Sequence, residues 1–244
     1  MRRDTRNMVA RTRIDVPLTL ALSPLLAAQA LWVRRRALQL PEPDGVRTGQ
    51  IGSGPDLRLL VIGDSSAAGV GVMRQEQALT PQLAANLADG RKVTWHLAAR
   101  NGATTADAPG LLAPLKGEAF DLAYVIFGVN DAKDLRSERA WRRDLSALTD
   151  TLKQNHGAPR IFFSGLPPIR AFPLLPEPLR SVLSLRAQRF DHALQKVARR
   201  SACHHLPIDV PLDPAGMAED GFHPGAGIYT TWAEHAAIRI ARHL

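Results

Sequence analysis

The chain has 244 residues, 45% of them hydrophobic and 22% charged. That is one domain's worth of material, with too many apolar residues for a disordered chain. One cysteine, Cys203, excludes an internal disulfide framework and a cysteine-based zinc site. A net charge of +8 invites a nucleic-acid reading, and the position of the charge argues against it. Residues 1–40 hold eight arginines against Asp4 and Asp15, a net +6. The other 204 residues carry only +2, so the body of the protein is nearly neutral and no nucleic-acid partner is expected.

Residues 1–40 therefore read as a separate N-terminal hydrophobic segment with basic flanks. Val16–Val33 is eighteen residues without a charge. As a helix it would reach roughly 27 Å, just enough for a bilayer core of about 30 Å. Pro24 would kink such a helix, while Trp32 and Arg34–Arg36 suit a membrane interface. Three readings stand side by side. The first is a membrane-associated helix of undetermined orientation. The second is a secretory signal cleaved at Ala28-Gln29-Ala30, which three arginines just beyond would oppose. The third is an apolar helix packed on the domain. Residues 41–56, rich in proline and glycine, are expected to be a linker, with the folded domain spanning 57–244.

From Leu57 short apolar runs alternate with helical patterns. Leu57–Ile62, Val93–Leu97, Leu122–Phe127, Ile161–Phe163 and His205–Ile208 are the predicted strands. Several are continuously apolar, as strands covered on both faces require. Helices are predicted over Gln75–Ala88, Ala106–Leu115, Ser137–Gln154, Leu179–Arg200 and Pro224–Arg242, with Trp141, Leu145, Leu148 and Leu152 on one face. This alternation implies an α/β fold with a parallel sheet between helices, whose ligands bind at the carboxyl ends of the strands. One long irregular connection, Ser164–Arg180, carries five prolines. It reads equally as a substrate wall or as a rigid surface loop.

The strand ends hold the chemistry. The first runs into Gly63-Asp64-Ser65-Ser66, placing a serine at a strand-to-helix turn where negative charge is favoured. The second leads to Asn101-Gly102-Ala103-Thr104-Thr105, the third to Gly128-Val129-Asn130-Asp131. Asp220-Gly221-Phe222-His223-Pro224 precedes the last helix. Each block alone is more simply a turn or a helix cap. Together they converge on one site and supply what acyl transfer needs. Ser65 is the candidate nucleophile and His223 its base. Asp220, one turn earlier, would orient the imidazole. The N–H groups of Ser65 and Gly102 with the Asn130 amide would form an oxyanion hole.

These four blocks resemble those of the SGNH hydrolases, also called GDSL esterases or lipases, over Arg58 to the C-terminus. By that resemblance Ser65, Gly102, Asn130 and His223 match the four family positions, and Asp220 the acid of the Asp-x-x-His block. The resemblance implies a three-layer α/β/α flavodoxin-like fold with a five-stranded parallel sheet, a small-molecule ester as substrate, and no metal or organic cofactor. Ser66 departs from the leucine usual in the motif. The proline-rich Leu166–Arg180 is similar to that of a bacterial subgroup with an N-terminal hydrophobic segment. The residues leave other readings open: lipid or small acyl esters, an O-acetylated saccharide, or a binding protein with an inactive site. Gly63–Gly71 lacks the Gly-Lys-Ser/Thr of a phosphate-binding loop. Cys203-His204-His205 are adjacent, which alternating strand faces explain better than one metal.

Overall fold

The computed structural model describes residues 22–244. Residues 16–21 of the expected apolar run lie outside them. Within the described part, α1 (Ser23–Arg36) has fourteen residues and ends at Ala37. No helix among the described residues is long and apolar enough to cross a membrane. The Ala28-Gln29-Ala30 run sits in the middle of α1.

A six-stranded sheet forms the centre. It contains β1 (Thr48–Gly52), β2 (Asp56–Gly63), β3 (Lys92–Ala99), β4 (Leu122–Ile126), β5 (Arg160–Ser164) and β6 (His204–Leu206). Their spatial order is β1-β3-β2-β4-β5-β6. The five expected strands are all parallel and take the flavodoxin-like order. The sixth is a correction. Thr48–Gly52, read as linker, pairs antiparallel with β3, Thr48 opposite His96 and Gly52 opposite Lys92. It is an exposed, glycine-bearing edge, so it carries no apolar alternation that would announce a strand.

The helices are α2 (Ser65–Ala68), α3 (Leu79–Leu87), α4 (Ala108–Leu112), α5 (Val129–Lys133), α6 (Glu138–Gln154), α7 (Leu179–Arg200) and α8 (Ala226–Ala241). Two expected helices are shorter than their patterns. Gln75–Gln77 is a separate 3₁₀ turn, and α3 begins at Leu79 with Pro81 in its first turn. The Ala106–Leu115 region breaks into a 3₁₀ turn, α4 and another 3₁₀ turn around Pro109 and Pro114.

Side-chain alternation along the strands builds two cores. Leu59 and Val61 face Leu83, Trp232 and Ala236, on the side of α3 and α8. Leu60 and Ile62 face Trp141, Leu145 and Phe190, on the side of α6 and α7. A third, smaller cluster comes from the proline-rich connection: Ile169, Phe172, Leu175 and Leu179 are buried there with Ala187. The connection is thus a packed part of the domain, and Leu26 and Val33 of α1 join it.

Candidate active site

The chain leaves β2 toward β3 on one side of the sheet and later returns to β4 on the other. The crevice that this reversal opens lies at the carboxyl end of β2. Ser65 occupies that position, as the first residue of α2. Asp64 caps the short helix by accepting from the Ser66 N–H at 3.0 Å, and its own N–H donates to Ile126 O at 3.0 Å. The serine turn is therefore stitched to the end of β4.

Gly102 follows β3 with φ +75°, a backbone conformation that side chains rarely adopt. An added Cβ there would meet nothing within 4 Å, so conformation alone asks for glycine. The loop is clasped from outside by residues before β1. Glu42 Oε1 accepts from the Asn101 N–H at 2.5 Å, and Arg47 Nη1 donates to Ala99 O at 2.6 Å.

Asn130, in α5, is buried, and its Nδ2 donates to Ala103 O at 3.0 Å. The neighbouring Asp131 is fully buried and accepts from both the N–H and the hydroxyl of Thr105, at 3.0 and 3.1 Å. Trp141 Nε1 donates to the same hydroxyl at 2.9 Å. Arg136 Nε stands 3.3 Å from the other Asp131 oxygen. Burial pushes the Asp131 carboxyl upward, against the Thr105 hydrogen bonds and the Arg136 charge. Sequence reasoning assigned Thr105, Asp131 and Trp141 no part in the site. Asp131 beside Asn130 was the available signal, but Thr105, the residue that bonds it, lies 26 positions earlier along the chain, and Trp141 joins only through Thr105.

The fourth block is the tightest. His223 Nδ1 donates to Asp220 Oδ2 at 2.5 Å, and Asp220 Oδ1 accepts from the N–H groups of Phe222 and His223, each at 3.0 Å. Burial raises the Asp220 carboxyl, but the His223 side chain and the two backbone donors outweigh it and hold it below the ordinary carboxylate range. The His223 block closes on the serine loop through Gly71, where a Cβ would come within 2.3 Å of Pro224 O and 3.1 Å of His223 Cβ. Tyr229 of α8 reinforces the junction, its hydroxyl donating to Val70 O at 2.8 Å.

Asp64 is the unforeseen titratable group. Burial pushes its carboxyl up to about 7, despite the Ser66 N–H and the nearby His223. All five expected residues thus lie at one end of the sheet, with Asp220 and His223 in direct contact and Asn130 tied to the Gly102 loop. Cys203, His204 and His205 diverge: Cys203 donates to Ser201 O, His204 stacks on Phe162, and His205 pairs with Asp191. Among the described residues, no three potential ligands gather as a metal site would require.

Comparison with known proteins bears on the fold and the family. A GDSL-like esterase of Mycobacterium tuberculosis is 26% identical over 215 residues, 80% of this chain and 67% of that protein. The aryl esterase of Mycobacterium smegmatis superposes with a TM-score of 0.63 at 18% identity, over 77% of this chain and all of that one. A carbohydrate acetylesterase from Sinorhizobium meliloti gives 0.58 at 18% identity, also over 77% and all of that chain. At such identities the two structures establish the fold. The sequence pattern of the GDSL-like lipase/acylhydrolase family matches residues 61–230, most of the chain, and the chain belongs to that family of SGNH-type ester hydrolases.

Proposed function

We propose that the chain cleaves carboxylic esters of apolar acyl groups through a Ser65-His223-Asp220 triad and an acyl-enzyme. The observation that carries this reading is the Asp220–His223 hydrogen bond at 2.5 Å, set beside the serine turn at the sheet's reversal point. With Nδ1 bonded to Asp220, the other ring nitrogen is the one left to act as base. Ser65 Oγ attacks the carbonyl carbon while His223 Nε2 takes its proton. The tetrahedral oxyanion is met by the N–H groups of Ser65 and Gly102 and by Asn130 Nδ2. Asn130 spends one of its two amide hydrogens on Ala103 O, which fixes the direction of the other. His223 returns the proton to the leaving alkoxide. It then takes a proton from water, whose hydroxide adds to the acyl carbon; collapse breaks the bond to Ser65 Oγ, which receives that proton from His223, and the acid leaves.

The acyl preference rests on the third apolar cluster. Val129 and Phe222, the residues before Asn130 and His223, are both half-buried in it with Leu166. An apolar wall thus joins the oxyanion side of the site to the base. It favours an acyl chain over a bare acetyl group, since each methylene buried contributes about 0.8 kcal/mol. The test is a profile of p-nitrophenyl esters of rising acyl length, with acetylated sugars alongside, on wild type and Ser65→Ala. Ser65→Ala should lose turnover by about 10⁵-fold or more. Full activity in that variant defeats the triad. Preference for acetylated sugars over the longer esters defeats the acyl assignment and favours the chemistry named for the Sinorhizobium neighbour.

A further inference from the structure

α1 is apolar on the side that faces away from the protein. Its inner stripe is committed to the domain. Leu26 and Val33 pack into the third cluster, and between them the Gln29 amide donates to Glu177 O at 2.6 Å and accepts from the Leu179 N–H at 3.1 Å. Among the described residues, the rest of the helix from Pro24 to Trp32 is exposed. Leu25, Leu31 and Trp32 are 47%, 49% and 45% exposed, and Ala27, Ala28 and Ala30 are exposed between them. No charge interrupts this surface before Arg34. Then Arg34, Arg35 and Arg36 follow, all exposed, with the Arg36 guanidinium 5.4 Å from the Trp32 ring centre.

We propose that the outer side of α1 is a lipid-binding element that seats the enzyme on an anionic membrane surface, with the helix lying in the interface. The helix is some 21 Å long at about 1.5 Å per residue, short of a bilayer core of about 30 Å. Gln29, Leu26 and Val33 hold its inner stripe against protein, so only the outer side is available to lipid. Large apolar groups on one side, an interfacial tryptophan and a terminal run of arginines are what an in-plane helix needs. Charge complementarity selects anionic headgroups, each surface arginine adding about 1 kcal/mol of attraction. The sequence before α1 adds Arg2, Arg3, Arg6, Arg11 and Arg13, of the same sign. The arrangement also has a consequence for substrate delivery. Leu26 and Val33 pack in the same cluster as Val129 and Phe222, so the lipid-facing helix and the proposed acyl wall are one packed unit.

The test is co-sedimentation of the full chain with phosphatidylcholine vesicles, with and without phosphatidylglycerol, at low and high salt. Binding should require the anionic lipid and weaken with salt. The triple variant Leu25→Ser, Leu31→Ser, Trp32→Ser should bind at least about 10-fold more weakly, since it removes most of the exposed apolar surface. It should keep wild-type turnover of a water-soluble short-chain ester, which reports intact folding independently of the vesicles. Replacing Arg34–Arg36 by glutamine should weaken the preference for phosphatidylglycerol. Wild-type binding by the triple variant overturns the proposal, because other residues then hold the membrane. Binding that survives both high salt and an alkaline wash also overturns it, in favour of a spanning segment. A dimer that the triple variant dissociates, without vesicle binding by wild type, assigns the surface to a second copy.

Discussion

The side-chain amide of Asn130 donates to the carbonyl of Ala103 at 3.0 Å, tying the end of β4 to the loop that leaves β3. Two of the proposed oxyanion donors, Asn130 Nδ2 and Gly102 N–H, are thereby positioned relative to each other before substrate arrives. Preorganised donors of this kind are worth about 10²–10³ in rate apiece. Asn130→Ala should therefore lower kcat by about 10²-fold or more with little change in KM. Asn130→Asp should be at least as damaging, because a carboxylate offers no donor and repels the oxyanion. Steady-state kinetics on a short ester check both; a pure KM effect would remove Asn130 from the oxyanion hole.

Behind Asn130, Thr105 is the hub through which Asp131 and Trp141 meet. Thr105→Val keeps the shape but deletes the hydroxyl that donates to Asp131 and accepts from Trp141. Trp141 Nε1 is then buried without its acceptor, a loss of about 1–3 kcal/mol. Urea unfolding should show that loss. Because the residue also anchors the Gly102 loop, kcat should fall by roughly tenfold while KM holds. Thr105→Ser, which restores the hydroxyl, should recover most of both.

The contrast between these residues shows what the sequence made legible. Ser65, Gly102, Asn130, Asp220 and His223 sit in four short blocks, each recognisable where a strand pattern ends. Strands β2, β4 and β5 were legible because their burial is written as apolar runs. β1 was not, since an exposed five-residue edge needs no apolar side chain and is held by backbone pairing to β3. Asp131, Thr105 and Trp141 were silent for a different reason. Trp141 reads as one more core position on the α6 face, and only folding shows its indole N–H reaching a loop 36 positions earlier. The roles of α1 and the proline-rich connection were likewise undecided from composition, and their mutual packing through Leu26 and Val33 is a tertiary fact.

Asp64 and Asp220 should pull the pH dependence of stability in opposite directions. Asp220 is held low, so its stabilising contribution is present above the ordinary carboxylate pKa and is lost as pH falls. Asp64 is raised from 3.8 to about 7, so the folded state holds a proton that the unfolded chain gives up across that window. Its effect is to lower stability as pH climbs from 3.8 to about 7, and no further above that. Asp64→Asn keeps an acceptor for the Ser66 N–H but cannot ionise. The variant should be more stable than wild type, by a margin that grows over this window toward a ceiling of roughly 4 kcal/mol. Denaturation midpoints at several pH values measure the margin. A margin that does not change with pH would mean that Asp64 titrates as an ordinary carboxyl.

The segment before β2 should matter to catalysis as well as to folding. β1 covers the edge of β3, and Glu42 and Arg47 hold the backbone of Asn101 and Ala99 on either side of the turn into the Gly102 loop. The same stretch reaches the serine side: Asp44 N–H donates to Met73 O at 3.2 Å and Gln75 N–H to Asp44 O at 2.8 Å. A chain beginning at Leu57 loses all of these contacts and bares the β3 edge to other strands. It should melt at lower temperature, aggregate more readily, and turn over a soluble ester with reduced kcat. Glu42→Ala in the full chain separates the two effects, since it frees the Asn101 N–H while leaving β1 in place. Its kcat should drop by about 3- to 10-fold with a near-normal melting temperature, the signature of a loosened oxyanion loop. If the truncated chain keeps both wild-type kcat and wild-type melting temperature, residues 41–56 are a linker after all, and the contacts to Asn101 and Ala99 have no functional weight.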